Sequence, residues 1–167
     1  DITEYALKFS NAYVTINTNG AMRNEDFWFN FGLLNNKYGQ RINVVFAIDG
    51  HTEEQHAKYR RNTSLETVLR HMEAYMSCPK SRSSVFTVAF KHNENDIEKI
   101  TDIARAYGAY KHCICPSNRF YKGHEGDRRG KHKDIFKFFN EGALETLHRS
   151  KKITQYYEVN LGTHPWR

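Results

Sequence analysis

The continuous apolar run INVVFAI, residues 42–48, constrains the fold more than any other feature of the chain. A run without polar alternation is typical of a strand that is covered on both faces, as in parallel sheets. Three further strands are predicted, with helical segments between them, over residues 12–20, 83–93 and 110–116. Parallel strands that alternate with helices predict an α/β fold with right-handed crossovers.

Apolar residues at helical spacing predict the segments that separate these strands. The segments span residues 2–9, 24–39, 64–76 and 96–108. Asn24 is a candidate N-cap for the second of them, Thr63 or Ser64 is a candidate cap for the third, and Gly39 is a candidate stop. A fifth amphipathic helix is predicted over residues 132–149, and a strand with a tail follows it.

Composition indicates a folded chain. Apolar residues make up 39% and aromatic residues 14% of the 167 positions, and no apolar run approaches the roughly 18 residues of a membrane span. The three cysteines are an odd number, which argues against a disulfide framework. We therefore expect a cytoplasmic protein with reduced thiols and no membrane partner. Its expected parts are a core over 1–120 and a C-terminal loop, helix and tail over 121–167.

Polar residues follow three of the predicted strands. Thr18-Asn19-Gly20 ends the first strand, Asp49-Gly50 ends the second with His56 and Arg60 shortly after it, and Asn93 ends the third. Parallel sheets bind ligands at the carboxyl ends of their strands, so these residues are candidates for one site. The alternatives are structural, because Asn-Gly and Asp-Gly are ordinary turns and Asn93 or Asn95 can cap a helix.

The order of these motifs resembles the radical S-adenosylmethionine superfamily. Members often carry Thr-Asn-Gly after the third barrel strand and a (Ser/Ala)-(Ile/Leu)-Asp-Gly motif after the fourth, with His and Tyr-Arg downstream. A later strand of the family ends in Asn. The matching residues here are Thr18-Asn19-Gly20, Ala47-Ile48-Asp49-Gly50 with His56 and Tyr59-Arg60, and His92-Asn93. The resemblance covers roughly residues 1–120.

The resemblance implies a fragment of a TIM-type (β/α)6 barrel in which this chain supplies strands three to six. It implies S-adenosylmethionine and a 4Fe-4S cluster as cofactors, and a reaction in which reductive cleavage yields a 5′-deoxyadenosyl radical. A flavodoxin or ferredoxin would supply the electron. The substrate stays open among peptides, small molecules and RNA. By this resemblance, the cofactor-binding residues are Thr18, Asn19, Asp49, Arg60 and Asn93, and the substrate-binding residues are His56 and Arg119.

The chain also departs from the family pattern. It has no CxxxCxxC segment and no Gly-Gly-Glu motif, and Ala47 replaces a Ser that contacts the cofactor in many relatives. We therefore expect the cluster ligands to lie upstream in a longer parent, and this segment to be inactive alone. Cys113 and Cys115 share one face of a strand but lack a CxxC or HxxxH partner, so we predict core and rim positions rather than a metal site.

A second function class stays open. The chain has a net charge of +6, and five of its basic residues fall within residues 122–133. Such a cluster is typical of a solvated loop, and it is also compatible with a basic α/β module that binds nucleic acid or a phosphorylated ligand. A nucleotide-sugar transferase is a third possibility, against which the missing Asp-x-Asp metal motif counts.

Overall fold

A computed structural model describes residues 2–117, 135–140 and 143–162 of the chain. The helices in these residues are α1 (Ile2–Phe9), α2 (Glu25–Lys37), α3 (Glu53–Ala57), α4 (Leu65–Met76) and α5 (Ile97–Ala106). The strands are β1 (Val14–Thr18), β2 (Ile42–Ala47), β3 (Ser83–Ala89), β4 (Lys111–Pro116), β5 (Ile135–Asn140), β6 (Ala143–His148) and β7 (Tyr157–Asn160). None of these helices has the length and apolar character that crossing a membrane requires.

The main sheet has five strands in the order β1-β2-β3-β4-β7. The first four are parallel and follow chain order, and β7 joins β4 antiparallel. The predicted mixed α/β architecture with a mostly parallel sheet is confirmed. Over the described residues, the sheet is not closed into a barrel. The finer prediction of a TIM-type barrel fragment therefore requires further strands that this sheet does not contain.

The hydrophobic core lies on the face of the sheet that α2, α4 and α5 cover. Val44 and Phe46 of β2 and Ile114 of β4 are fully buried on this face. The helices contribute Trp28, Phe31, Val68, Met72, Tyr75 and Ile100 to the same cluster. Because apolar burial is the dominant favourable term in folding, this packing fixes one face of the sheet. On the opposite face, Val88, Phe90 and Leu147 form a smaller buried cluster that covers only part of it.

The predicted helix boundaries are confirmed by their caps. The Asn24 side chain accepts a hydrogen bond from the Phe27 N–H at 3.0 Å, and Ser64 accepts one from the Thr67 N–H at 3.3 Å. Gly39, just after α2, has a φ of 73°, a left-handed conformation that glycine adopts without a steric penalty. These residues fix where α2 and α4 begin and where α2 ends.

The predicted helix over residues 132–149 is wrong. This segment forms the antiparallel hairpin β5-β6, whose register pairs Asn140 with Ala143 and leaves two residues between the strands. Ile135 and the phenylalanines of IFKFF favour a strand, and Gly142 disfavours a helix interior. The apolar residues fit a helical stripe as well as a strand, and the pairing of β5 with β6 decides for the strand.

Candidate functional site

A cleft of about 420 Å³ opens at the carboxyl ends of the parallel strands. Its lining residues come from three neighbouring strands and from the segment after α3, and they are Asn17, Thr18, Asn19, Val45, Ala47, Arg60 and Phe86. Three of the predicted cofactor-binding residues, Thr18, Asn19 and Arg60, therefore meet in one cleft. Its volume lies within the range of about 300–1,000 Å³ that small-molecule sites usually have.

The Asn19-Gly20 turn forms one wall of the cleft. Thr18 Oγ1 accepts a hydrogen bond from the Gly20 N–H at 2.9 Å, and Asn19 Oδ1 accepts one from the Ala21 N–H at 3.2 Å. Gly20 has a φ of 69°, and a Cβ there would lie 2.9 Å from Val68 Cγ1. His71 Nδ1 and the Gly20 carbonyl oxygen are 2.6 Å apart, so α4 also holds the turn.

Arg60 also lines the cleft, and an ion pair with Asp49 beneath it holds it there. Asp49 is completely buried, and its Oδ2 accepts a hydrogen bond from Arg60 Nε while its Oδ1 accepts one from the Val88 N–H at 2.6 Å. Burial raises the pKa of Asp49, and Arg60 and the Val88 N–H oppose that shift. The pair holds the Arg60 side chain, of which 23% is exposed, at the cleft.

Arg60 keeps two donor groups for a ligand. Its Nε is bound to Asp49, and within the described residues neither Nη1 nor Nη2 donates to a protein acceptor. A planar guanidinium with free terminal nitrogens binds a carboxylate or phosphate in two places at once. Asp49 therefore positions Arg60 rather than contacting a ligand itself, because its own carboxylate lies beneath the surface.

Asn93 lies below the cleft and joins the ends of two strands. Its Oδ1 accepts a hydrogen bond from the Phe90 N–H at 2.8 Å. Its Nδ2 donates to the Asp49 carbonyl oxygen at 2.9 Å and to the Val88 carbonyl oxygen at 3.0 Å. The residue is completely buried, so its contacts in this structure are with the backbone. Neither Asn93 nor Asn95 caps α5, because the N-cap position is occupied by Asp96.

His56 also lies beneath the cleft rather than in it. It is fully buried, with Nδ1 accepting a hydrogen bond from the Asp49 N–H at 3.3 Å and Nε2 lying 3.2 Å from Thr63 Oγ1. Burial and the charge of Arg60 lower its pKa to about 4, so the ring is neutral at pH 7. In this structure the His56 ring has no exposed atom that could contact the predicted substrate.

Gly50 is required for this arrangement. A Cβ at position 50 would lie 2.3 Å from the backbone nitrogen of His56, which is closer than real side chains approach a backbone. The Asp49-Gly50 pair is thus more than a turn signal, because the missing side chain lets α3 pack directly on the end of β2.

Arg119, the remaining predicted site residue, and the basic cluster over 122–133 lie outside the described residues. Cys113 is buried and Cys115 half-buried, both are free, and burial raises the pKa of each thiol. In the described part of the chain, no group of three or more His, Cys, Asp or Glu side chains is arranged to hold a metal ion.

Sequence reasoning missed three of the lining residues, Asn17, Val45 and Phe86. Strand alternation could have found Val45, because it lies two residues before Ala47 and therefore shares its face of β2. The register pairs Asn17 with Val45 and Ala47 with Phe86, so all four side chains lie on the face that the helices leave open. This pairing cannot be read from one sequence without the register.

A larger cavity, of about 670 Å³, lies at the other end of the molecule. It is formed around the ends of α4 and α5 and the connection into β3, and it contains none of the predicted site residues. Ligands of parallel α/β sheets bind at the carboxyl ends of the strands, whereas this cavity lies at their amino ends. We therefore take the smaller cleft as the candidate functional site. No protein-family model and no curated protein sequence matches the chain.

Proposed function

We propose that this chain is the cofactor-binding part of a radical S-adenosylmethionine enzyme. One observation carries the proposal: Thr18, Asn19 and Arg60, taken from two motifs about 40 residues apart, line a single cleft at the ends of neighbouring parallel strands. In a parallel sheet such strand ends meet at one edge, and the support for this proposal is that three residues which the resemblance implies as cofactor contacts line the same cavity there. The chain order of β1 to β4 supports the finer proposal that they are strands three to six of a (β/α)6 barrel.

The chemistry of the cleft fits S-adenosylmethionine. The free terminal nitrogens of Arg60 suit the carboxylate of its methionine part, and Asn19 Nδ2 and the Thr18 hydroxyl suit its other polar groups. Val45, Ala47 and Phe86 give the cleft an apolar floor against which an adenine ring can pack. Ala47 offers no hydroxyl, so in this protein the contact that a Ser makes in many relatives has to come from another residue.

The 4Fe-4S cluster does not fit the described residues. Cys78 donates a hydrogen bond to the Phe29 carbonyl oxygen at 3.0 Å, on the helix side of the sheet. Cys113 and Cys115 lie on β4, and three thiolates are needed at one place. We propose that the cluster ligands belong to another part of a longer parent, in which the cofactor serves as a source of a 5′-deoxyadenosyl radical. This chain then binds and orients the cofactor and forms part of the substrate wall.

The same proposal includes a cellular compartment and a reducing partner. The free thiols Cys78, Cys113 and Cys115 suit the reducing cytoplasm. A flavodoxin or ferredoxin is the proposed reducing partner, and the substrate remains to be identified.

The test is anaerobic purification of the parent reading frame, followed by measurement of its iron content and of S-adenosylmethionine cleavage to 5′-deoxyadenosine. Arg60→Lys keeps a positive charge beside Asp49 but loses the planar fork, so we expect a raised KM for S-adenosylmethionine and cleavage reduced by about tenfold or more. Arg70→Lys is the matched control, since Arg70 pairs with Glu25 on the helix surface. A parent that binds no iron and cleaves no cofactor contradicts the proposal.

A further inference from the structure

A further cavity, of about 490 Å³, lies beside the end of β3, and its described lining is basic. Its described lining residues come from the segment after α3, from the end of β3 and from β6, and they are Lys58, Lys91, His92, Thr146, Leu147 and His148. None of them is acidic. The Lys91 N–H donates to the His148 carbonyl oxygen at 3.0 Å, which attaches the hairpin to the strand end and closes one side of the cavity.

The two lysines bring positive charge to the cavity, and no acidic side chain is among its described lining residues. Lys58 forms one ion pair, with Glu54 at 3.6 Å, and both side chains are at least half exposed. Exposed pairs of this kind contribute little and exchange readily. Lys91 forms no ion pair within the described residues. An anion that enters the cavity therefore meets two ammonium groups, neither of which has to leave a strong partner.

His92 adds a polar atom that lacks a partner. Its Nε2 is buried and forms no hydrogen bond within the described part of the protein, and its ring stacks on Phe90 with centroids 5.6 Å apart. A buried polar atom without a partner is unfavourable, and this one is therefore a candidate to bind a ligand atom. Burial and the charge of Lys58 lower the pKa of His92 to about 4.

We propose that this cavity binds the phosphate group of a small-molecule substrate, with Lys58 and Lys91 as charge partners and His92 Nε2 as a hydrogen-bond partner. Two lysines match a phosphate, which carries a charge of about −1.5 to −2 at pH 7, better than they match the single charge of a carboxylate. The concave shape favours a small ligand over a nucleic-acid backbone. The proposal that the cavity binds an anion is independent of the proposed function. The proposal that this anion belongs to a substrate rests on the proposed function.

The position of the cavity suits a substrate site beside the cleft. A row of side chains joins the two places: Arg60 lies 5.1 Å from the Tyr59 ring, the Tyr59 ring lies 4.6 Å from Phe90, and Phe90 stacks on His92. Phe90, at the middle of this row, is fully buried, so the row connects the two sites through the protein interior.

The experiment is titration of the full chain with inorganic phosphate, followed by amide shifts in NMR spectra and by calorimetry. We expect saturable shifts at Lys91 and His92. Lys58→Met and Lys91→Met keep the apolar stems and should each weaken binding about tenfold, which corresponds to about 1.4 kcal/mol. His92→Phe preserves the stacking and should weaken binding similarly, whereas His92→Gln keeps a polar nitrogen and should retain most of it. Lys80→Gln, at the amino end of β3, should leave binding unchanged.

Each other outcome overturns the proposal. Phosphate affinity that is equal in wild type, Lys58→Met and Lys91→Met excludes this cavity as the site, and the lysine variants are at the surface and should fold. Tight, steeply salt-dependent binding of a single-stranded oligonucleotide, with no saturable phosphate binding, replaces the small substrate with a nucleic acid. Because the titration contains no S-adenosylmethionine, its result is independent of whether the cofactor proposal holds.

Discussion

Replacement of Asn93 tests how the site is supported. In Asn93→Ala, three buried main-chain groups lose their partner: the Phe90 N–H and the carbonyl oxygens of Asp49 and Val88. Each unpaired buried group costs about 1–3 kcal/mol, and partial relaxation reduces the sum, so we expect a loss of about 3–5 kcal/mol in the free energy of unfolding. With a urea m-value of about 2 kcal/mol/M, the midpoint should fall by about 2 M.

Asn93→Asp separates hydrogen bonding from volume. The aspartate has nearly the same shape and keeps an acceptor for the Phe90 N–H, but it directs a carboxylate oxygen at two carbonyl oxygens. We expect a loss at pH 7.5 at least as large as that of Asn93→Ala. The folded-state pKa of this aspartate should be raised above the unfolded value of about 3.9, so stability should recover as the pH falls towards 4 and one O–H donor returns.

The matched control is Asn95→Asp, two residues further on. Asn95 is exposed and its side chain contacts Lys152, so the same substitution should change stability by less than about 0.5 kcal/mol. Urea unfolding followed by circular dichroism measures all three variants. A loss below about 1 kcal/mol for Asn93→Asp at pH 7.5 would refute the reasoning that Asn93 holds the two strand ends together.

Three further substitutions follow from the same contacts. Arg60→Met leaves Asp49 buried without its cation and raises the Asp49 pKa further. The free energy of unfolding should therefore fall by about 2–4 kcal/mol at pH 8 and by less at pH 5, where the carboxyl is more often protonated. An equal loss at the two pH values contradicts this reasoning. Gly50→Ala forces α3 off β2 and should cost about 3 kcal/mol in urea unfolding, against about 1 kcal/mol for Gly39→Ala, where a Cβ meets nothing within 4 Å. Asn24→Ala should cost about 1 kcal/mol by thermal melting, and an unchanged melting temperature would exclude its cap.

The sequence was sufficient to predict the parallel core because each element there has an unambiguous signal. The apolar run of β2, the caps at Asn24 and Ser64, and the glycine after α2 all agree with the structure. The hairpin could not be predicted in the same way, because isoleucine and phenylalanine in IFKFFNEGALETL fit a helical stripe as well as a strand. Pairing of β5 with β6 decided between the two, and pairing is not a local property.

The sequence was sufficient to predict where the candidate site lies, but not what each of its residues does. The carboxyl ends of parallel strands gather at one edge, so Thr18, Asn19 and Arg60 could be expected near one another. That Asn93 ties strands together depends on its bond to the Asp49 carbonyl oxygen, 44 residues away in sequence. That His56 is buried depends on the close packing that Gly50 allows. Both facts are long-range contacts, which no single-sequence pattern records.

Titration of this chain with S-adenosylmethionine, followed residue by residue in amide NMR spectra, decides whether the cleft binds the cofactor. We expect saturable shifts at Thr18, Asn19, Ala47 and Arg60, with the weak affinity of a partial pocket. Ala47→Leu, which fills the cleft with an apolar side chain, should abolish these shifts without unfolding the protein. Shifts that are confined to the larger cavity near α4 and α5, or shifts that persist in Ala47→Leu, would contradict the assignment of the cleft to the cofactor.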